Sequence, residues 1–292
     1  LRVRFSPPSS PARMPVTVEQ LAPSHSDALR ALLAKDPVHN LYLLGLLEEF
    51  GIAAPERQAA FAFHGRFDSG VLTAAVFVGG EGGLVVPSAS DATATGVIAD
   101  ALAPSLKLRA TVGDKASVDA LVRSLCEGKP RLSRTQKLFS VSADDLGPFT
   151  NPTLRLAREE DVPRLLPLAQ GYVREILERD PLAEDPAHYE ARVLQRVRQR
   201  RTYVLEEGGE LVFKVDIGCR SQFGAELEGM YTPPSRRRQG HATLCLGQIS
   251  RHLLSSLPRL AMRVDERDES TARIARKVGY HAGRTQRLVL VE

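Results

Sequence analysis

The 292-residue chain contains no tryptophan, and aromatic residues make up only 5% of it. Single-stranded nucleic-acid binders stack bases on aromatic side chains set among basic ones. The shortage argues against nucleic acid as a partner. Three cysteines, Cys126, Cys219 and Cys245, are odd in number and widely spaced. They offer neither metal-ligand spacing nor a disulfide framework, so no metal is expected. A reducing compartment, the cytoplasm, is the expected location. No run of about 18 apolar residues occurs, so no membrane partner is expected. The opening Leu1-Arg-Val-Arg-Phe-Ser-Pro-Pro-Ser-Ser-Pro11 is basic and proline-rich and lacks an apolar signal core. Residues 1–14 are therefore expected to be a disordered tail.

The 43% hydrophobic and 25% charged content is that of a globular chain, long enough for two domains. A net charge of +4 and a pI near 9.1 suit an anionic ligand. Asp144-Asp-Leu-Gly-Pro-Phe-Thr-Asn-Pro152 is dense in turn formers and divides the chain into halves, 15–148 and 149–292. Each half opens with a strand, Val16 onward or Leu154–Asp161. Two helices follow: Ser24–Ala34 and Pro37–Phe50 in the first half, Val162–Glu178 and Pro186–Arg201 in the second. Three hairpin-like strands come next. They are Ala60–Phe67, Gly70–Phe77 and Gly83–Val86, then Thr202–Glu206, Glu210–Ile217 and Ala225–Tyr231. A helix follows the third strand each time. The expected fold is α/β, with two tandem domains, each a mixed, mostly antiparallel sheet flanked by helices.

The chemistry concentrates between Ala225 and Leu254. A strand runs to Thr232 and is stopped by Pro233 and Pro234, which cannot donate to a ladder. Arg236 to Gly240 make a tight basic loop, and from Gly240 a helix carries Ala242, Leu246, Ile249 and Leu253 at helical spacing. A helix N-terminus presents unpaired N–H groups and partial positive charge. With Gly240 allowing close approach, and with Arg236, Arg237 and Arg238 nearby, the segment is a cradle for a diphosphate.

The run Arg237-Arg238-Gln239-Gly240-His241-Ala242, led in by Thr232-Pro233-Pro234, resembles the cofactor motif of the GNAT superfamily of N-acetyltransferases, Arg/Gln-x-x-Gly-x-Gly/Ala. Downstream, Leu260–Val264 reads as the next strand. Asp268-Glu-Ser-Thr-Ala-Arg-Ile-Ala-Arg-Lys-Val-Gly279-Tyr280 resembles the family's closing helix, with Asp268 as its cap and Gly279 at its end. The resemblance implies acetyl-CoA as cosubstrate. It implies that the backbone from Arg237 through Gln239, Gly240, His241 and Ala242 to Thr243 grips the diphosphate. It further implies that Met230, Tyr231 and Thr232 border the pantetheine arm, which pairs with the strand. The first half carries only an echo, Gly83-Leu-Val-Val-Pro87, with Ser90, Thr93 and Thr95 where the motif needs Arg, Gly and Ala. It reads as a GNAT-like domain without a working cofactor loop.

The implied activity is acetyl transfer to a primary amine by direct attack. The amine must first lose its proton, for which a carboxylate base is suited. Glu228 is the first candidate and Glu226, two residues earlier on the same face, the second. Their proximity is expected to raise one of the two pKa values. Tyr280 and Tyr231 are candidates to reach the thiolate, against a packing role for each. Ala275 stands where the family commonly has a tyrosine that serves the departing thiolate, which motivates an alternative: a non-catalytic acyl-CoA-binding sensor. His241 is expected to work through its backbone with its ring in solvent, and Cys245 to be a core residue. Arg192, Arg196, Arg198, Arg200 and Arg201 read as the solvated face of a helix, the rival being an RNA- or protein-interaction surface. His39 and Tyr42 either belong to a core helix or border a cleft between the halves. The expected partner is a small-molecule or peptide amine, and a homodimer is compatible with the sequence.

Overall fold

A computed structural model describes residues 16–52, 61–79 and 83–291. The expected tail at 1–14 and the expected strand start at Ala60 lie outside them. The first half runs Thr17–Gln20 (β1), Ser26–Leu33 (α1), Leu41–Phe50 (α2), Ala62–Asp68 (β2), Val71–Gly79 (β3), Leu84–Pro87 (β4), Ala92–Leu102 (α3), Ala110–Asp114 (β5), Lys115–Leu125 (α4) and Leu132–Val141 (β6). The second runs Arg155–Leu156 (β7), Val162–Leu177 (α5), Pro181–Glu184 (α6), Pro186–Arg198 (α7), Thr202–Glu207 (β8), Glu210–Ser221 (β9), Gly224–Tyr231 (β10), His241–Leu254 (α8), Leu260–Asp265 (β11), Glu269–Val278 (α9) and His281–Leu290 (β12).

The halves do not form separate sheets. One twelve-stranded sheet runs β1-β2-β3-β4-β5-β12-β6-β11-β10-β9-β8-β7. The last strand of each half has crossed into the other: β12 pairs with β5, and β6 pairs with β11. The two crossed strands pair with each other at the centre, from His281↔Ser140 to Leu290↔Leu132. Among the described residues only β4–β5 and β10–β11 are parallel. The order is therefore that of two copies of one six-strand unit related by a two-fold. The expected opening strand at 154–161 shrinks to two residues, because Glu159–Asp161 turn into α5 and Asp161 binds the Arg155 guanidinium instead.

Apolar alternation puts side chains on both faces. The clusters that pack α1 and α2, and α5 and α7, cover one face; those of α3 and α4, and α8 and α9, cover the other. Phe139 and Val141, on a strand of the first half, lie in the same cluster as Ile249, Val278 and Tyr280 of the second. Helix α2 also crosses over. Its Gly45 lies so near β9 that an added Cβ would sit 2.6 Å from the Cys219 Cβ, and the Cys219 thiol donates to the Leu41 carbonyl at 3.3 Å.

Because Phe139 belongs to the core beneath α8 and α9, Phe139→Ala is expected to cost about 3–5 kcal/mol. Urea unfolding followed by circular dichroism should show one earlier transition for the whole chain. Two resolved transitions, with only one shifted, would contradict a core shared between halves.

Candidate functional site

The site begins where two parallel strands part. Strands β10 and β11 pair only at Ala225↔Leu260, Glu226↔Ala261 and Leu227↔Met262. Beyond this, β10 continues to Tyr231 and β11 to Asp265 with no ladder between them. The cause is a bulge in β10. Glu228 faces Asp216 and Tyr231 faces Lys214, so three steps on β10 match two on β9. A bulge bends its strand and sharpens the twist. Gly229 takes the positive φ of 61° that the bend requires.

At the open end of this wedge stands the N-terminus of α8. Gly240 is its N-cap at φ 87°, and no side chain caps the helix. The first helical amide with a backbone partner is that of Leu244, bonded to Gly240 O at 3.1 Å. A Cβ at Gly240 would meet nothing within 4 Å, so the cap faces open space. The corresponding turn of the first half is closed. There Asp91 caps α3 by accepting from Thr93 N at 3.0 Å, and Asn40 Oδ1 takes the Ala89 amide at 2.7 Å.

The loop arginines divide. Arg236 binds Glu210 at 2.6 Å. Arg237 binds both Glu175 oxygens at 2.6 and 2.8 Å and lies over the Tyr231 ring, whose hydroxyl donates to the same Glu175 at 3.1 Å. Among the described residues Arg238 has no ion pair. It is exposed, with a positive φ of 63°. The His241 ring is not in solvent, contrary to expectation. It is 8% exposed, with Nε2 3.1 Å from Gln239 Oε1 and Nδ1 3.5 Å from Glu207 Oε1, because the first turn of α8 lies against the β8–β9 hairpin.

A cavity of about 350 Å³ passes through the wedge. Leu246 and Met262 line it on the α8 side. Tyr42, Tyr172, Tyr189, Arg192 and Arg196 line it on the other, with Glu226, Glu228 and Met230 from β10 between them. Tyr42 comes from the first half, and the Arg263 guanidinium lies 5.9 Å from its ring centre. Of the two expectations for the α2 residues, Tyr42 therefore borders the cleft. His39 is held by Asp36 at 2.8 Å and is not part of the lining.

The two carboxylates differ. Glu226 is 4% exposed and ion-paired with Arg263. Burial raises its pKa, Arg263 opposes the rise, and the Glu228 charge adds to it. Glu228 is 34% exposed, and its Oε1 binds Arg196 at 2.6 Å. Gly218 lies beneath it; a Cβ there would be 2.8 Å from the Glu228 Cδ. Arg196 also reaches Asp216 at 3.4 Å, so it is not part of a solvated face as expected: α7 turns it inward. Arg198 meets the expectation, exposed and paired with Glu159 at 2.8 Å. Tyr280 is 1% exposed, bonded to Ser250 at 2.7 Å and outside the cavity lining. Asp268 caps α9 through Thr271 N at 2.9 Å and lines the cavity. Cys245 is buried in the core, and burial raises its thiol to about 12.

Residues that sequence reasoning passed over complete the site. Lys214 and Asp216, 3% and 4% exposed, are paired at 2.6 Å beneath the bulge. Thr202 donates to Asp216 at 2.7 Å. Burial raises the Tyr172 hydroxyl pKa, and the Glu228 charge adds to the rise. The signal for the first pair was present in Leu211-Val-Phe-Lys-Val-Asp-Ile217: two charges on one face of an otherwise apolar strand.

No protein-family model matches the chain, and no curated protein matches it in sequence. Solved structures match over nearly its whole length. A Drosophila protein superposes with a TM-score of 0.68 at 15% identity, covering 94% of this chain and 98% of its own. A GCN5-related N-acetyltransferase from Sphaerobacter thermophilus gives 0.55 at 13% identity, covering 96% of each chain. A tandem GNAT protein from the clavulanic acid biosynthesis pathway gives 0.54 at 13% identity, covering 94% of this chain and 97% of its own. Similarity at this level defines architecture: the chain has the GNAT acetyltransferase fold in its tandem form.

The contrast between the carboxylates is measurable. Glu226→Leu leaves Arg263 without its partner and is expected to cost about 3–5 kcal/mol. Glu228→Gln, at a partly exposed pair, should cost no more than about 1 kcal/mol. Chemical denaturation of the two variants checks this, and equal costs would contradict the assigned environments.

Proposed function

We propose that the chain is an N-acetyltransferase that moves an acetyl group from acetyl-CoA to a primary amine, with its cofactor site in the second half. The observation that carries this reading is the coincidence of an uncapped helix N-terminus with a strand pair opened directly beside it. A diphosphate fits the first feature, since among the described residues the amides at the start of α8 have no hydrogen-bond partner and Gly240 keeps the approach clear. An extended amide-bearing arm fits the second, since β10 beyond Leu227 has no ladder on its β11 side. In this reading Gln239, Gly240, His241, Ala242 and Thr243 hold the diphosphate through their backbone. Met230 and Thr232 flank the pantetheine, and Arg238 adds charge. Bound acetyl-CoA would supply the activated thioester carbonyl.

The rest of the chemistry falls to the chain. An ammonium cannot attack, so the acceptor must be deprotonated. Glu228 stands on the cavity wall, about a third exposed, with Oε1 held by Arg196 at 2.6 Å. It takes the proton directly or through one water. Glu226, paired with Arg263, supports the shape of the wall. A thiol of pKa about 8.5 is a tolerable leaving group without a strong acid, which suits a site whose Tyr280 hydroxyl is engaged by Ser250. The first half, 15–148, supplies Tyr42 and part of the floor and has no cofactor turn of its own. The cytoplasm is the proposed location.

A second reading is favoured by Ala275, which is fully buried and carries no hydroxyl: an acyl-CoA sensor that binds without turnover. Thioester consumption against a panel of amines separates the two, since the sensor binds acetyl-CoA but consumes none.

Gly240→Glu places mass and negative charge in the cradle and is expected to abolish acetyl-CoA binding in calorimetry; unchanged affinity refutes the loop assignment. Glu228→Gln is expected to lower the acetylation rate about 10²-fold or more and to leave acetyl-CoA affinity within twofold. Full activity across the pH range would remove Glu228 as the base.

A further inference from the structure

The bulge in β10 opens the wedge, and something must hold the bulge. An extra residue in an antiparallel pair leaves peptide groups without ladder partners. The Gly229 carbonyl is one of them, and a side chain satisfies it: Lys214 Nζ donates to Gly229 O at 2.8 Å. The same ammonium binds Asp216 Oδ2 at 2.6 Å. Asp216 is held in turn by Thr202. The fit is close, since a Cβ at Gly229 would fall 2.5 Å from Asp216 Oδ2 and 2.8 Å from Lys214 Nζ.

A lysine this deeply buried loses its hydration, and in an apolar strand a shorter neutral residue would pack at less cost. Its position identifies what it is for. Lys214 and Asp216 face Tyr231 and Glu228 across the ladder, one on each side of the extra residue. We infer that the Lys214–Asp216 pair is a positioning device that keeps β10 parted from β11, so that the wedge stays open to an extended acyl-carrying arm. Without the ammonium, the Gly229 carbonyl seeks a backbone donor again and β10 relaxes toward regular pairing.

The inference rests on the acetyl-CoA reading, and it predicts a division within that ligand. The wedge grips the pantetheine arm, whereas the α8 turn grips the diphosphate. The experiment compares calorimetric affinity for acetyl-CoA with that for 3′-phospho-ADP, which carries the diphosphate but no pantetheine. Lys214→Met should weaken acetyl-CoA at least tenfold and leave 3′-phospho-ADP within twofold. Should Lys214→Met fail to fold, Lys214→Met combined with Asp216→Asn removes both charges, keeps an acceptor for Thr202 and should show the same split. A purely structural role lowers the melting temperature and leaves the ratio of the two affinities unchanged. Wild-type protein that binds both ligands, with variants that retain the wild-type ratio, overturns this inference alone. Wild-type protein that binds neither overturns the functional reading and this inference with it.

Discussion

Backbone N–H and C=O groups inside a protein must find partners, and strands β10 and β11 give up their mutual ladder after three residues. Much of the architecture can be read as the consequence. Strand β11 is secured from its other side by β6, through Leu260↔Val141 to Asp265↔Gln136. Strand β10 is secured by β9 and by side chains that reach its bulge. Each strand is thus anchored by its outer neighbour, and the gap between them persists without either strand losing its place in the sheet. The α8 N-terminus, at the mouth of that gap, is a second set of backbone donors without partners among the described residues. In the acetyl-CoA reading, the two sets of free backbone groups serve the charged head and the amide-bearing tail of one ligand.

The crossing of β6 and β12 bears directly on this. The strand that backs β11 belongs to the first half, so both halves build the wedge. The same crossing carries Gln136 and Leu288 to the cavity, and α2 brings Tyr42. The first half has therefore kept a structural part in the site, although its own turn is closed by Asp91 and Asn40. The two turns are an internal comparison: the same strand-to-helix step, once capped by carboxylate and amide side chains, once capped by glycine and left open. A cap stabilises a helix by about 1 kcal/mol. Its omission at α8 is a small loss, and in the acetyl-CoA reading it leaves the turn free for the diphosphate.

The local features of the site could be read from the chain because they depend on local chemistry. Pro233 and Pro234 must end a strand, and Gly240 before an amphipathic run must begin a helix, wherever the segment sits. Asp268 and Gly279 delimit α9 for the same reason. The crossing could not be read. Leu132–Val141 and His281–Leu290 alternate in the same way whether they pair within their own half or with the other, and register across a long separation leaves no trace in periodicity. Arg196 fails for a related reason. Charges along a helix suggest solvent, and only the position of Glu228 and Asp216 across the cleft turns one of them inward. His241 shows the same limit: its neighbours in the chain are polar, but the β8–β9 hairpin folds over it.

The environments of Glu226 and Glu228 carry the comparison one step further. They lie two residues apart on one strand, and alternation alone puts both on one face. Register separates them. Glu226 stands opposite Ala261 at the last stretch of paired ladder, where Arg263 is within reach and water is excluded. Glu228 stands one residue past the parting of the strands, over Gly218, with the cavity before it. The β9–β10 ladder is irregular both between Glu226 and Leu227 and after Glu228, which leaves one carboxylate in the framework and the other facing the cavity. Position relative to the wedge, rather than residue type, is what separates the two carboxylates and favours Glu228 as the proposed base.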